Sequence, residues 1–255
     1  MSEIEIFAIP GLPEFRAGDD VAAQIAGACR QAGLHLVDGD VIVVAQKIIS
    51  KAEGRMVALE DVTPSAESLQ LAAETEKDPA LVELILRESS RVLRRRTGTI
   101  IVEHRLGFVC ANAGIDRSNV PQDAAGKNSV LLLPVDPDRS ACALRDGIVT
   151  HLGVRPAVIV SDTHGRPFRE GAVGVAIGVA GLLPVTSMIG WPDRQGRTLH
   201  TTQIATADEL AAAASLLMGQ SDEGRPVVVV RGARYQAGEG TLNDLLRARE
   251  RDMFR

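Results

Sequence analysis

Aromatic side chains are scarce in this 255-residue chain: one Trp, one Tyr and five Phe make up 3% of it. Proteins that hold single-stranded nucleic acid by stacking need such rings, and a net charge of -5 supplies no general field for a phosphate backbone. Nucleic acid is therefore not an expected partner. Cysteine is sparse as well. Cys29, Cys110 and Cys142 lie far apart without CxxC spacing, which argues against a zinc site or a disulfide framework and predicts reduced, packed thiols in a cytoplasmic protein. No positively charged start precedes an apolar signal stretch, so export is not expected. The longest apolar run, Gly171 to Val185, is too short to span a bilayer comfortably and carries several glycines. It reads as a close-packed interior segment, and no membrane partner is expected.

What the chain does have is the composition of a globular protein, with 45% hydrophobic and 24% charged residues and a mean hydropathy of +0.06. No internal repeat, low-complexity tract or long linker divides it, so residues 1–255 are expected to form one catalytic unit. Strands are predicted at Ile4 to Ile9, Asp40 to Ala45, Ser129 to Val135, Pro156 to Ser161 and Pro226 to Val230. Helices are predicted at Asp19 to Gly33, from Asp138, at Ala207 to Met218 and from Thr241. Asp78 caps a further predicted helix that runs through Leu81, Leu84, Ile85 and Val92, with Arg91, Arg94, Arg95 and Arg96 closing its C-terminus. Gly98 to Glu103 and Gly107 to Ala111 read as a hairpin joined by His104-Arg105-Leu106. The fold class is mixed α+β.

Residues able to grip metal and phosphate gather at the edges of apolar runs. Asp162 and Thr163 follow the strand Ala157 to Val160, where a carboxylate and a hydroxyl at a strand end suit a hard cation, and Gly165 is expected to turn the backbone away. A turn or a helix cap is the simpler reading of the same pair. His164 has no second histidine at ligand spacing, so hydrogen bonding is its simpler role. Asp116 and Asn119 stand three apart, the spacing of one helical turn, or else form an Asx-turn. The loop of Met218, Gly219, Gln220, Ser221, Asp222, Glu223, Gly224 and Arg225 has the small residues of a phosphate nest but not the Gly-Lys-Ser/Thr of a P-loop. Lysine is used only four times, and Lys47 and Lys51 sit four apart just after a strand. Where arginine is the default cation, two compact ammonium groups on one side suit phosphate or carboxylate contact.

Taken in order, Gly-Leu-Pro-Glu-Phe, Asp-Gly-Asp-Val-Ile-Val-Val, Ile-Ser-Lys-Ala-Glu-Gly-Arg, Asn-Ala-Gly-Ile-Asp-Arg-Ser-Asn-Val, Leu-Leu-Pro-Val-Asp-Pro-Asp, Ser-Asp-Thr-His-Gly-Arg-Pro-Phe-Arg, Leu-Leu-Met-Gly and Val-Val-Val-Arg-Gly resemble the coenzyme F-420 gamma-glutamyl ligase family. That family adds L-glutamate to a phospholactate-bearing deazaflavin coenzyme using GTP. The resemblance implies a two-lobed gamma-glutamyl ligase fold and an intertwined homodimer. It implies divalent-metal binding at Asp116, Asp162, Thr163 and Gln220, with two Mg²⁺ or Mn²⁺ ions and K⁺ as a further candidate. It implies GTP contacts from Leu12, Pro13, Glu14, Phe15, Gln46, Lys47, Lys51, Asn119 and Met218 to Arg225, with Asp116 and Asp162 as the catalytic pair. The chain stops at Arg255, so the likeness is to the stand-alone form without the nitroreductase-like domain of some relatives, and flavin chemistry is not expected.

A free carboxylate does not condense readily with an amine in water, because its oxygen is a poor leaving group. The implied route is therefore phosphorylation of the coenzyme carboxylate by GTP and attack of glutamate on the acyl phosphate, with His164 as a candidate base. Arg166, Arg169 and the arginines near Arg95 are candidates for the deazaflavin pocket. Two rivals use the same residues: a metal-dependent phosphohydrolase with water as nucleophile, and a non-catalytic module that senses a nucleotide.

Overall fold

The computed structural model describes residues 3–118 and 128–253. Its centre is a five-stranded sheet in the order β1 (Glu5–Ala8), β12 (Val227–Arg231), β2 (Val41–Ala45), β8 (Ala157–Arg166) and β9 (Arg169–Ala180). Only β2 and β8 run parallel; the other neighbours are antiparallel. The sequences Val-Ile-Val-Val-Ala of β2 and Val-Val-Val-Val of β12 before Arg231 are unbroken apolar runs because both faces of these strands are covered. Alternate residues go to opposite layers. Ile42, Val44, Val158, Val160, Val227 and Val229 join the larger core with α1 (Val21–Ala32) and α5 (Pro137–Leu152). Val41, Val43, Ile159, Val228 and Val230 face α6 (Thr206–Met218). Each fully buried Val of this kind contributes about 1.5–3 kcal/mol relative to leaving it exposed.

Local signals set the helix ends. Asp20 caps α1 by accepting from the Ala23 N–H at 2.9 Å, and Gly33 closes it in the left-handed region at φ 65. Asp78 caps α4 (Pro79–Arg87) by accepting from Ala80 and Leu81. The glycine-rich run falls in β9 and the turn after it, and its inner half is buried through Leu182. Close approach explains two of those glycines. A Cβ at Gly174 would lie 2.6 Å from the Ala211 carbonyl oxygen of α6, and one at Gly178 would strike the backbone of Pro137 at the start of α5.

Several expectations are corrected. The helix from Asp78 ends at Arg87, where the Ser89 hydroxyl donates back to the Ile85 carbonyl, and Arg91, Arg94, Arg95 and Arg96 lie in a strand, β4 (Ser89–Arg96). It pairs with β5 (Thr99–His104), which pairs with β6 (Val109–Ala111). Two irregularities in the β4 register break the two-residue alternation, so its arginines imitate a charged helix end. Asp162 and Thr163 do not end their strand: β8 runs on to Arg166, and the turn into β9 uses Phe168 at φ 59, not Gly165. The segment from Thr241 forms no α-helix among the described residues but two short 3-10 helices, Leu242–Leu245 with a Thr241/Asp244 capping box and Arg249–Arg251. Cys29 and Cys110 are buried, whereas Cys142 is exposed on α5.

His104 closes β5 and is 2% exposed. Its Nδ1 accepts from the Leu106 N–H at 3.0 Å and its ring stacks on Phe108, 5.1 Å between centroids. Burial, reinforced by the charges of Arg105 and Arg55, pulls its imidazole down from 6.5 to about 4. As pH falls, the unfolded chain takes up this proton first, so His104 lowers stability progressively from pH 6.5 to about pH 4. The loss reaches about 3 kcal/mol at the acid end. Urea midpoints measured between about pH 7 and about pH 4.5 are expected to fall accordingly, and His104→Gln to flatten that slope. An unchanged slope in the variant would rule the histidine out as its source.

Candidate functional site

One cavity of about 480 Å³ opens at the edge of the central sheet. Four separated stretches line it: Leu12, Pro13, Glu14 and Phe15 after β1; Gln46, Lys47 and Lys51 on α2 (Gln46–Ala52); Asp162 and Thr163 on β8; and Met218, Gly219, Gln220, Ser221, Asp222, Glu223, Gly224 and Arg225 after α6. Sheet order explains the convergence. β2 and β8 are parallel neighbours, so α2 leaves β2 beside the point where β8 carries Ser161 and Asp162 past the core. β12 lies on the other side of β2, and the loop that enters it supplies the third wall.

On the α2 wall, Lys51 is nearly buried and its Nζ meets the Glu14 carboxylate at 3.0 Å. Lys47 Nζ reaches Asp116 Oδ2 and the Ser118 hydroxyl, each at 2.8 Å. Gln46 is 1% exposed; its Oε1 accepts from the Ser50 hydroxyl at 2.8 Å, but its Nε2 is buried without a hydrogen-bond partner. A buried amide donor left unmade costs about 1–3 kcal/mol. It lines a cavity, where a ligand's acceptor can satisfy it.

On the sheet wall, strand alternation sends Asp162 and Thr163 to opposite faces, yet both border the cavity. Thr163 donates its hydroxyl to Gln220 Oε1 at 3.1 Å, and Asp162 Oδ2 lies 3.0 Å from His164 Nε2. Asp162, Thr163 and Gln220 thus offer oxygen donors of the kind Mg²⁺ and Mn²⁺ take. Among the described residues no three His, Cys, Asp or Glu side chains cluster as ligands. A hard cation held by these three oxygens would keep most of its positions open to water or to a ligand's oxygens.

The third wall begins where Gly219 ends α6 at φ 72, ψ -176, a conformation that side chains avoid. A Cβ there would overlap the Glu223 carboxylate. That carboxylate accepts from the Ser221 N–H at 2.8 Å, and backbone N–H groups, Ser221 foremost, hold its acid below the usual range. The loop therefore has the amide nest its composition suggests, with Glu223 folded into it.

The sequence model of F420-0:Gamma-glutamyl ligase matches residues 11–232. The chain is 51% identical over 254 residues to the coenzyme F420:L-glutamate ligase of Methanothermobacter thermautotrophicus, covering 99% of each protein. It is 44% identical to the enzyme of that name from Methanocaldococcus jannaschii, covering 96% of this chain and 94% of the relative. With the one from Archaeoglobus fulgidus the identity is again 44%, over 99% of this chain and 96% of the relative. The chain belongs to the F420-0:gamma-glutamyl ligase family. Membership at this coverage lends the phosphohydrolase rival no support.

Within this ligase, most residues singled out from sequence share the one cavity. Asp116 is not among the lining residues and reaches them through Lys47. It is not helical either. It forms a bridge with Leu131, and its Oδ1 accepts from the backbone and hydroxyl of Ser118, the Asx-turn alternative. Asn119 lies outside the described residues. Arg166 and Arg169 flank the β8–β9 turn and Arg95 pairs with Glu74; none of the three lines this cavity. Sequence reasoning passed over Ala45, Ile48, Ser161, Ser215 and Pro226, which also line it. Small or apolar residues of that kind carry no chemical signal, and only adjacency to the chosen segments marks them. No helix among the described residues is long and apolar enough to cross a membrane.

Proposed function

We propose that this chain catalyses GTP-dependent addition of L-glutamate to coenzyme F420-0, or to its dehydro form, through an acyl phosphate. The observation that carries this reading is the cavity itself, where two lysines, an amide nest, an unpartnered Gln46 donor and the oxygens of Asp162, Thr163 and Gln220 meet. Those groups match the parts of a nucleoside triphosphate: ammonium groups and backbone amides for phosphate oxygens, carboxylate and neutral oxygens for the accompanying cations.

The proposed reaction has two steps. The coenzyme carboxylate attacks the γ-phosphorus, the bond from that phosphorus to the β–γ bridging oxygen breaks, and GDP leaves. The glutamate amine then attacks the acyl carbon, inorganic phosphate departs with the oxygen it had joined, and the nitrogen loses a proton as the amide forms. Lys47 and Lys51 hold anionic oxygens, the Met218–Arg225 loop orients the phosphates, and Asp162 with Thr163 and Gln220 would hold a divalent ion; Asp116, paired with Lys47, is a further candidate ligand. Bound there, two Mg²⁺ or Mn²⁺ ions would screen the phosphates and stabilise charge on the transferring group; K⁺ is a further candidate.

Residues 1–255 are taken as one catalytic unit of two lobes, working in the cytoplasm as a homodimer. The dimer reading is supported by exposed Ile189 and Trp191, on the excursion between β10 (Thr186–Ser187) and β11 (Gln203–Ile204). Light scattering should then return twice the 27.1 kDa of one chain.

The deciding assay incubates purified protein with GTP, Mg²⁺ or Mn²⁺, L-glutamate and coenzyme F420-0, and reads product masses for glutamyl increments. Steady phosphate release without glutamate or coenzyme, and no increment with them, would refute the ligase reading.

A further inference from the structure

Asp162 and His164 are two residues apart on β8, so their side chains share one face of the strand. A carboxylate only accepts, so the hydrogen of their 3.0 Å contact sits on His164 Nε2. Behind the imidazole stands Phe108, its ring centroid 5.1 Å from that of His164 at an interplanar angle of 48°. Phe108 is in turn stacked against His104 at 5°. Both backing rings are buried, Phe108 at 8% and His104 at 2%, and the Leu106 N–H fixes the His104 Nδ1. Three rings in series therefore run from the core of the β4–β5–β6 sheet to the carboxylate at the cavity wall.

We propose that His164 is a positioning residue: its Nε2–H fixes the orientation of the Asp162 carboxylate, and the Phe108–His104 stack holds the His164 ring in place. Asp162 stands where β8 has left the core, on a side chain whose second torsion is soft. One directed donor removes that freedom and leaves Oδ1 to face the cavity's ligands. Outer hydrogen-bond partners of metal-holding carboxylates act in this way, and their loss commonly costs 10–100-fold in affinity or activity. The inference rests on the ligase reading proposed above.

The test compares His164→Ala, His164→Gln and Asp162→Asn. Mn²⁺ binding in the presence of GTP is read by electron paramagnetic resonance, alongside kcat, the KM for glutamate and the melting temperature. His164→Ala is expected to weaken Mn²⁺ binding and lower kcat by about 10–100-fold, while KM and melting temperature stay close to wild type. His164→Gln places an amide N–H near the former Nε2 and is expected to recover most of both losses. Two results would overturn the proposal: His164→Ala within about twofold of wild type in both readouts, against the 10–100-fold expected, or His164→Gln as impaired as the alanine variant. Should Asp162→Asn also leave both readouts untouched, or wild type bind no Mn²⁺ with GTP, the ligase reading of the cavity falls too. A defect in Asp162→Asn alone removes only the role given to His164.

Discussion

Asp162→Asn is expected to cut glutamylation turnover by about 10²–10³-fold, a loss of about 3–4 kcal/mol in transition-state stabilisation. The substitution is nearly isosteric, and an asparagine oxygen can still accept from His164 Nε2, so the β8–β9 hairpin keeps its local bond. What disappears is the negative charge. A hard cation held partly by Thr163 and Gln220, both neutral, would lose the one carboxylate that β8 brings to the cavity. The melting temperature should stay within a degree or two, because the residue sits beyond the core and the change keeps both its shape and its bond to His164. Turnover near wild type, measured at saturating GTP and glutamate, would show that the sheet wall does not take part in the chemistry.

Asp40→Ala is expected to have the largest effect on stability, about 3–5 kcal/mol. Asp40 is 1% exposed and receives Arg231 in a two-pronged contact, Nε at 2.8 Å and Nη2 at 2.7 Å, while its Oδ2 also accepts the Val37 N–H at 2.9 Å. Arg231 in turn donates to the His35 carbonyl and lies over the Phe7 ring. One carboxylate thus ties the loop before β2 to the end of β12, and hence to β1. Removing it leaves the Val37 N–H without its acceptor and takes from Arg231, a third exposed, the carboxylate that holds it across the sheet. For a chain of this size the melting temperature should fall by roughly 10 °C. Pairing Asp40→Leu with Arg231→Met should recover part of the loss, since an apolar pair leaves no charge unmatched. A cost below about 1 kcal/mol for Asp40→Ala would place the pair with ordinary surface ion pairs.

The central sheet was legible because its strands are buried on both faces: Val41 to Ala45 and Val227 to Val230 have no polar residue to confuse the pattern. α1 was legible from its cap and its closing glycine. β4 was not, because its two irregularities remove the alternation that marks a strand and leave a row of arginines. The outer half of β8 was missed for a related reason. Asp162 to Arg166 lie past the core, where the hairpin with β9 rather than burial keeps them extended. Short motifs did pick out residues that the fold brings together, since Lys47, Lys51, Asp162 and the loop after α6 border one cavity. They did not show pairings across the chain. Asp40 and Arg231 both fall in motifs that carried the family likeness, yet nothing in either motif says they meet 191 positions apart. The contact of Lys47 with Asp116 is hidden by the same kind of separation.

The cavity's two lysines and its loop amides are already engaged: Lys51 by Glu14, Lys47 by Asp116 and the amides by Glu223. Any polyanion that enters must take over these partners instead of meeting bare positive charge, so association there is a swap of counter-ions. The affinity gained is the difference between two sets of contacts. Glu14, exposed and joined to its lysine by a single contact, is the partner with the least to lose when it yields its place.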